Sequence, residues 1–194
     1  MTDSKEIAKS TRFYRKIHHF VGSFLFAFFF LVSITGLLLG WKKHSGGLIL
    51  PKTETGISTN LKNWLPYDRL HTIAIQTLRD SLPDEVSPVI DRIDARPGKG
   101  IVKFVFQNHY TEIQLDATTG NVLAVNRRTS DIIEQIHDGS ILDFAFSTGN
   151  GQIKLGYTTV TGLSLLLLSI TGFFLWFNPV RIRRRRNREL RYKE

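Results

Sequence analysis

Two uncharged stretches, Phe20–Trp41 of 22 residues and Leu155–Phe177 of 23, lie near opposite ends of the chain, each edged by lysine and arginine. At a helical rise of about 1.5 Å per residue, either is long enough to cross a hydrocarbon core of about 30 Å. Between them lie 113 residues of mixed composition. A chain of this layout is expected to be a membrane hairpin that holds a folded domain on one side.

Charge predicts which side. The first 17 residues carry five basic groups against Asp3 and Glu6, and the last 14 carry eight against Glu189 and Glu194. This excess of nine equals the net charge of +9 for the whole chain, so the middle is neutral. Short flanks rich in Lys and Arg stay in the cytoplasm, which puts both termini inside and the middle domain outside, in the periplasm or its equivalent. The arginine run Arg183–Arg186 follows the second span at once and is read as a topology signal and a contact for membrane lipid, not as a nucleic-acid interface.

The first span is read as an anchor. A secretory signal has a short apolar region and a small-residue cleavage site, whereas this run is longer and ends Leu37-Leu38-Leu39-Gly40-Trp41-Lys42-Lys43. Trp41 and Trp176 are placed as interfacial aromatics. The sequence contains no cysteine, which excludes a disulfide framework, an iron–sulfur cluster, a thiolate zinc site and a catalytic thiol. The expected organisation is a basic N-terminus (1–17), a first span (18–41), a linker (42–65), an extracytoplasmic domain (66–128), a juxtamembrane segment (129–152), a second span (153–177) and an arginine-rich tail (178–194).

Within the middle, Leu70, Ile73, Ala74, Thr77 and Leu78 recur at helical spacing, and Pro83 follows closely. The period then changes. Arg96-Pro97-Gly98-Lys99-Gly100 is a turn signal, after which Val102, Phe104 and Phe106 alternate with Lys103 and Val105, as in a strand with one buried face. Gln107–Tyr110 suits a hairpin turn, Glu112–Asp116 a return strand, Thr118–Asn121 another turn and Val122–Val125 a last strand. The expected fold class is α+β: two transmembrane helices flanking one soluble helix and a small antiparallel sheet.

This order, with Asp116-Ala117-Thr118-Thr119-Gly120-Asn121-Val122-Leu123 as its most specific piece, resembles the PepSY domain, whose pattern here is close to D-x-x-T-G-x-V-L. The resemblance extends outward. Ile17-His18-His19-Phe20-Val21-Gly22 is similar to the L-H-R-W-x-G opening of PepSY-associated transmembrane proteins, and Ile136-His137-Asp138-Gly139 to their L-H-x-G element. The tetrapeptide Ser-Ile-Thr-Gly occurs twice, at Ser33–Gly36 and Ser169–Gly172, and fits the family's helix ends.

On a helical wheel, Gly36, Gly22, Gly40, Ser33 and His44 all fall within about 80° of His18. In the second span Thr158, Gly162, Ser169, Gly172 and Trp176 share a sector of about 100°. Small residues let membrane helices pack closely, and Gly36-x-x-x-Gly40 is a GxxxG motif. The same stripe would also admit a flat cofactor, with Gly22, Gly36 and Gly172 permitting close approach. His18 and His44 lie at opposite edges of the first span, and His137 precedes the second. Such histidines are either interfacial polar groups or axial ligands of haem b, which needs two imidazoles and no thiolate. His19 is the alternative to His18, and His71 and His109 are expected on the surface.

The resemblance implies a multi-pass protein of a bacterial inner membrane, related to ferrisiderophore reductases whose PepSY-associated helices hold haem. The activity implied is reduction of ferric iron or a ferric siderophore outside the cytoplasm, either as the reductase or as its redox subunit. His44 and His137 would close one site in a single chain. A site at His18 or His19 would need a second copy, in a homodimer or larger membrane assembly. The chain departs from larger relatives in having two spans rather than four or more. The second function class is a membrane-tethered PepSY module that binds a peptidase or transporter without haem.

Overall fold

The computed structural model describes residues 2–83, 86–146 and 148–191. Helix α1 runs Thr2–Trp41, α2 Tyr67–Ser81, α3 Thr129–Asp138, α4 Ser140–Ala145 and α5 Gln152–Arg191; strands β1 Ile90–Arg96, β2 Ile101–Phe106, β3 Thr111–Asp116 and β4 Val122–Arg127 lie between α2 and α3. The expected α+β architecture is therefore the observed one. Two compact units result: Met1–Ile34 with Ile136–Glu194, and Thr35–Gln135.

In the first unit, α1 and α5 carry the apolar stretches and continue as helix into the basic flanks. Both are long and apolar enough to cross a membrane. Most of their phenylalanines and leucines, including Phe20, Phe24, Leu163 and Leu166, are exposed, as lipid-facing side chains are. Two features shape the start of α5. Gly139 takes φ +79 and lies against the Tyr157 ring, 2.7 Å from where a Cβ would stand, so a side chain is unfavourable there on both counts. Asp143 accepts the Ile153 and Lys154 amides at 3.0 and 2.7 Å, capping orphan donors of the α5 N-terminus. The Thr148 hydroxyl and those amides hold the Asp143 carboxyl below the usual carboxylate range.

In the second unit, the four strands form an antiparallel meander in the order β1-β2-β3-β4. Leu70, Ala74 and Leu78 repeat every four residues along one stripe of α2 and bury themselves on Val102, Phe104, Phe106, Ile113, Leu115 and Ala117. Each fully buried large apolar side chain contributes about 1.5–3 kcal/mol, so this layer supplies most of the drive to fold.

The opposite sheet face departs from expectation. Alternation predicts a strand with one buried face, yet every residue of β2 and of β3 is buried. The cause is the segment 50–58, which is laid over the second face. Gln114 receives the Glu54 amide at 2.9 Å and donates to the Lys52 carbonyl at 2.7 Å. Asp116 accepts the Ile57 amide at 2.6 Å, and the Gly56 amide donates to the Lys99 carbonyl at 2.7 Å. A Cβ on Gly56 would stand 2.1 Å from the Gly100 carbonyl oxygen, so only glycine allows this approach.

The charges trapped there are paired. Glu112, fully buried, accepts from Lys103 at 3.2 Å, from Gln114 at 2.6 Å and from Arg128. Arg128 also meets Asp131 at 2.9 Å, and Asp131 meets Arg92 at 2.8 Å. Burial pushes the Lys103 amine down, and Glu112 only partly offsets it. For Asp131 burial acts upward, but bonds from Arg128 and Arg92 hold the carboxyl below its ordinary range.

Candidate functional site

The site begins with the pairing of α1 and α5. Along α5, buried or half-buried positions include Tyr157, Thr161, Ser164, Leu168, Thr171, Leu175 and Asn178, spaced alternately by three and four. That is the seam of two helices packed side by side. Asn178 donates from Nδ2 to Thr11 Oγ1 at 3.1 Å, Tyr14 stacks on Phe174 at 4.8 Å between centroids, and His18 Nδ1 lies 2.9 Å from Thr171 Oγ1. Gly22 faces Leu168.

The two threonines obey one rule. Thr11 gives its proton to the Ile7 carbonyl at 2.7 Å, and Thr171 gives its proton to Leu167 at 2.8 Å. Each hydroxyl oxygen is then an acceptor across the seam. Thr171 therefore takes the Nδ1–H of His18, so that Nε2 is the ring nitrogen left for another partner. Metal-bound histidines commonly have this arrangement, with one ring nitrogen donating to a neighbour and the other facing the metal.

Space accompanies the lone pair. His18 Cε1 is 3.5 Å from where a Cβ at Gly172 would stand, an ordinary contact distance, so the ring lies close against α5. His18, His19, Gly22, Ser23 and Phe26 line a shallow groove of 390 Å³. Of the glycines expected to admit a cofactor, Gly22 lies beside Leu168 and Gly172 beside His18 in this seam, while Gly36 is half-buried in the other unit.

The remaining histidines are placed separately. His19 is exposed on α1. His44 is exposed in a 3-10 turn, Lys42–His44, of the sheet-bearing unit. His137 is half-buried near the end of α3, in the helical unit, and is followed by Asp138, which accepts the Ser140 amide at 2.9 Å and pairs with Lys154 at 2.5 Å. Burial acts upward on the Asp138 carboxyl, but Lys154 and Ser140 hold it below the usual range. His71 is exposed, as expected. His109 is not a free surface residue. It stacks on Phe106 and bonds Thr111 at 2.7 Å and the Ser87 carbonyl at 3.0 Å, which fixes the β2–β3 turn. Among the described residues no group of three or more His, Asp or Glu forms a metal cluster.

The Asp116-x-x-Thr119-Gly120 element is a structural device. Asp116 Oδ1 accepts the Thr118 and Thr119 amides at 2.8 and 2.9 Å while Oδ2 holds Ile57, so one carboxylate ties the β3–β4 turn to segment 50–58. Burial acts upward on this carboxyl, but the three amides outweigh it and hold it below the ordinary value. Gly120 takes φ +78. With this turn, the His18 opening and the Gly139 break in place, the family comparison is decisive. The model of the PepSY-associated TM region matches residues 15–192. The chain belongs to that family. Comparison with curated proteins and with solved structures returned no match.

The α5 stripe expected from small residues is not the packed one. Thr158, Gly162, Ser169 and Trp176 are exposed, and only Gly172 of that set is half-buried. Thr171 carries the cross-helix contact to His18. It is the threonine of the repeated Ser-Ile-Thr-Gly, and both copies, Thr35 and Thr171, are buried.

Proposed function

We propose that this PepSY-associated membrane protein binds haem b and transfers electrons to ferric iron or a ferric siderophore outside the cytoplasm, with His18 as an axial ligand through Nε2. The observation that supports this most is the commitment of Nδ1 to Thr171, since a ring held in that tautomer presents a lone pair to iron. Haem, when bound, supplies a one-electron Fe(III)/Fe(II) couple. The chain's residues do the rest. Thr171 fixes the ring, Gly22 and Gly172 leave room beside it, and the flanking phenylalanines exclude water. Each chain offers one such imidazole in this seam, so a second imidazole at this site would come from another copy in a homodimer.

The test is the dithionite-reduced minus oxidised visible spectrum of the full chain in mild detergent, after expression with ample haem. The wild type is expected to give a sharp low-spin b-type signal, and His18→Ala to lose a large part of it while keeping its far-UV circular dichroism. His44→Ala and His137→Ala examine the other two expected ligands in the same way. A colourless, folded wild type would overturn the reading and leave a tethered PepSY module whose partner is a protein. An unchanged signal in His18→Ala would remove the ligand assignment alone.

A further inference from the structure

The sheet-bearing unit contains a cleft of 570 Å³ that the haem reading does not use. Lys42, Lys43, Arg96, Lys99, Lys103 and Arg128 line it, together with apolar and small residues, and no aspartate or glutamate does. A neighbouring furrow of 430 Å³ shares Lys43 and Lys99 and adds Lys52. Six cations around one concavity focus a positive field into it.

The six differ in what compensates them. Lys103 is buried and Arg128 mostly so, and both are answered by Glu112 and, for Arg128, Asp131. They form a fixed floor. Lys99 donates to the Thr53 carbonyl at 2.6 Å, a neutral partner that leaves its charge unbalanced. Arg96 is half-exposed and only 3.6 Å from Asp94. Lys42 and Lys43 have no acidic partner among the described residues. The surplus charge therefore sits on the rim, where a ligand would meet it.

We infer that this cleft binds a phosphate group. Several lysine point charges with an arginine fork suit a compact, multiply charged oxyanion, and the volume suits a small phosphate compound or one headgroup. The rim also has a fixed neighbour in the chain. Lys42 follows Trp41, the last residue of α1, so a phospholipid headgroup is one source of the phosphate and a free phosphate compound is the other. The inference does not depend on haem.

Full-length protein in a phosphate-free maltoside detergent is titrated with inorganic pyrophosphate by calorimetry. In parallel, protein from nanodiscs containing phosphatidylglycerol is examined by native mass spectrometry for retained lipid. Near-surface cations are each worth roughly fivefold in affinity, so Lys43→Gln/Lys99→Gln is expected to lose roughly thirtyfold. Arg96→Gln, which leaves the Lys99–Thr53 bond intact, is expected to lose roughly fivefold. Saturable pyrophosphate binding with these losses supports a free phosphate ligand. Retention of one phosphatidylglycerol by the wild type and not by the double variant supports a headgroup. Absence of both overturns the inference. So does an equal loss in Arg79→Gln, an exposed cation on α2, because general charge attraction would then explain the binding.

Discussion

The two units bury polar side chains in opposite ways. In the helix pair the polar groups of the seam meet in two single bonds: Asn178 to Thr11, His18 to Thr171. Under the sheet they are ions, joined into a connected set of Lys103, Glu112, Arg128, Asp131 and Arg92. A membrane helix already satisfies its backbone internally, so a single cross-helix bond on a neutral side chain is enough and contributes on the order of 0.6 kcal/mol. An ion removed from water is costly, several kcal/mol each, and is tolerated only when every neighbour answers it. One unit uses polarity sparingly to set register. The other uses it as a second core.

The sharpest way to break that contrast is to remove the centre of the ionic set. Glu112→Leu leaves Lys103 and Arg128 facing a side chain that cannot accept, and breaking a buried pair in this way costs about 3–5 kcal/mol. The expected outcome is a large fall in the thermal midpoint of the sheet's β signal in the full chain, while the helical signal of α1 and α5 holds to higher temperature. A loss below about 1 kcal/mol, the scale of an exposed pair, would mean that water reaches the second face and that the ions behave as surface charges.

Asp116 tests the same face through pH. Its carboxyl is held below its ordinary value in the folded domain, so its contribution is complete above the unfolded carboxylate pKa of about 3.9 and is lost as pH falls through the lower folded value. Asp116→Asn should therefore cost stability at neutral pH and flatten the acid limb of the stability curve relative to the wild type. The measurement is urea unfolding at a series of pH values. A variant that keeps the wild-type acid slope would show that other carboxylates, such as Asp131, set it.

These contrasts also separate what the sequence displays from what it conceals. The spans, the α2 stripe and the hairpin turns are legible because periods of 3.6 and 2 and the Gly and Pro punctuation are local. The ionic face is not. Lys103, Glu112 and Gln114 alternate with Val102, Phe104 and Ile113 as a solvated face would, and only segment 50–58, which has no period of its own, buries them. Helix α3 fell inside a stretch expected only to be juxtamembrane. In α5, ranking residues by smallness picks Gly162 and Ser169, whereas the packed positions include Tyr157, Thr161, Leu168 and Thr171. His18 was legible as a candidate. Its partner on the other span was not, because nothing local joins residues 153 positions apart.

The smallest expected effect lies in that pair. Thr171→Val keeps the β-branched shape and removes only the oxygen that accepts from His18. Stability should fall by no more than about 1 kcal/mol, the scale of one cross-helix bond in a membrane bundle. The consequence for the ring is larger than for the fold. Without an acceptor, Nδ1 has no reason to keep the proton, and the imidazole is free to turn or change tautomer. A haem ligated by His18 should then show a broadened low-spin signal and weaker retention on dilution, by about 10–100-fold, the scale seen when an outer partner of a metal-bound histidine is removed. Thr171→Ser, which restores the oxygen, should recover both. If Val and Ser behave alike in the spectrum while both remain folded, then Thr171 serves only the packing of α5, and the hydrogen bond to His18 is no more than the satisfaction of a half-buried polar ring.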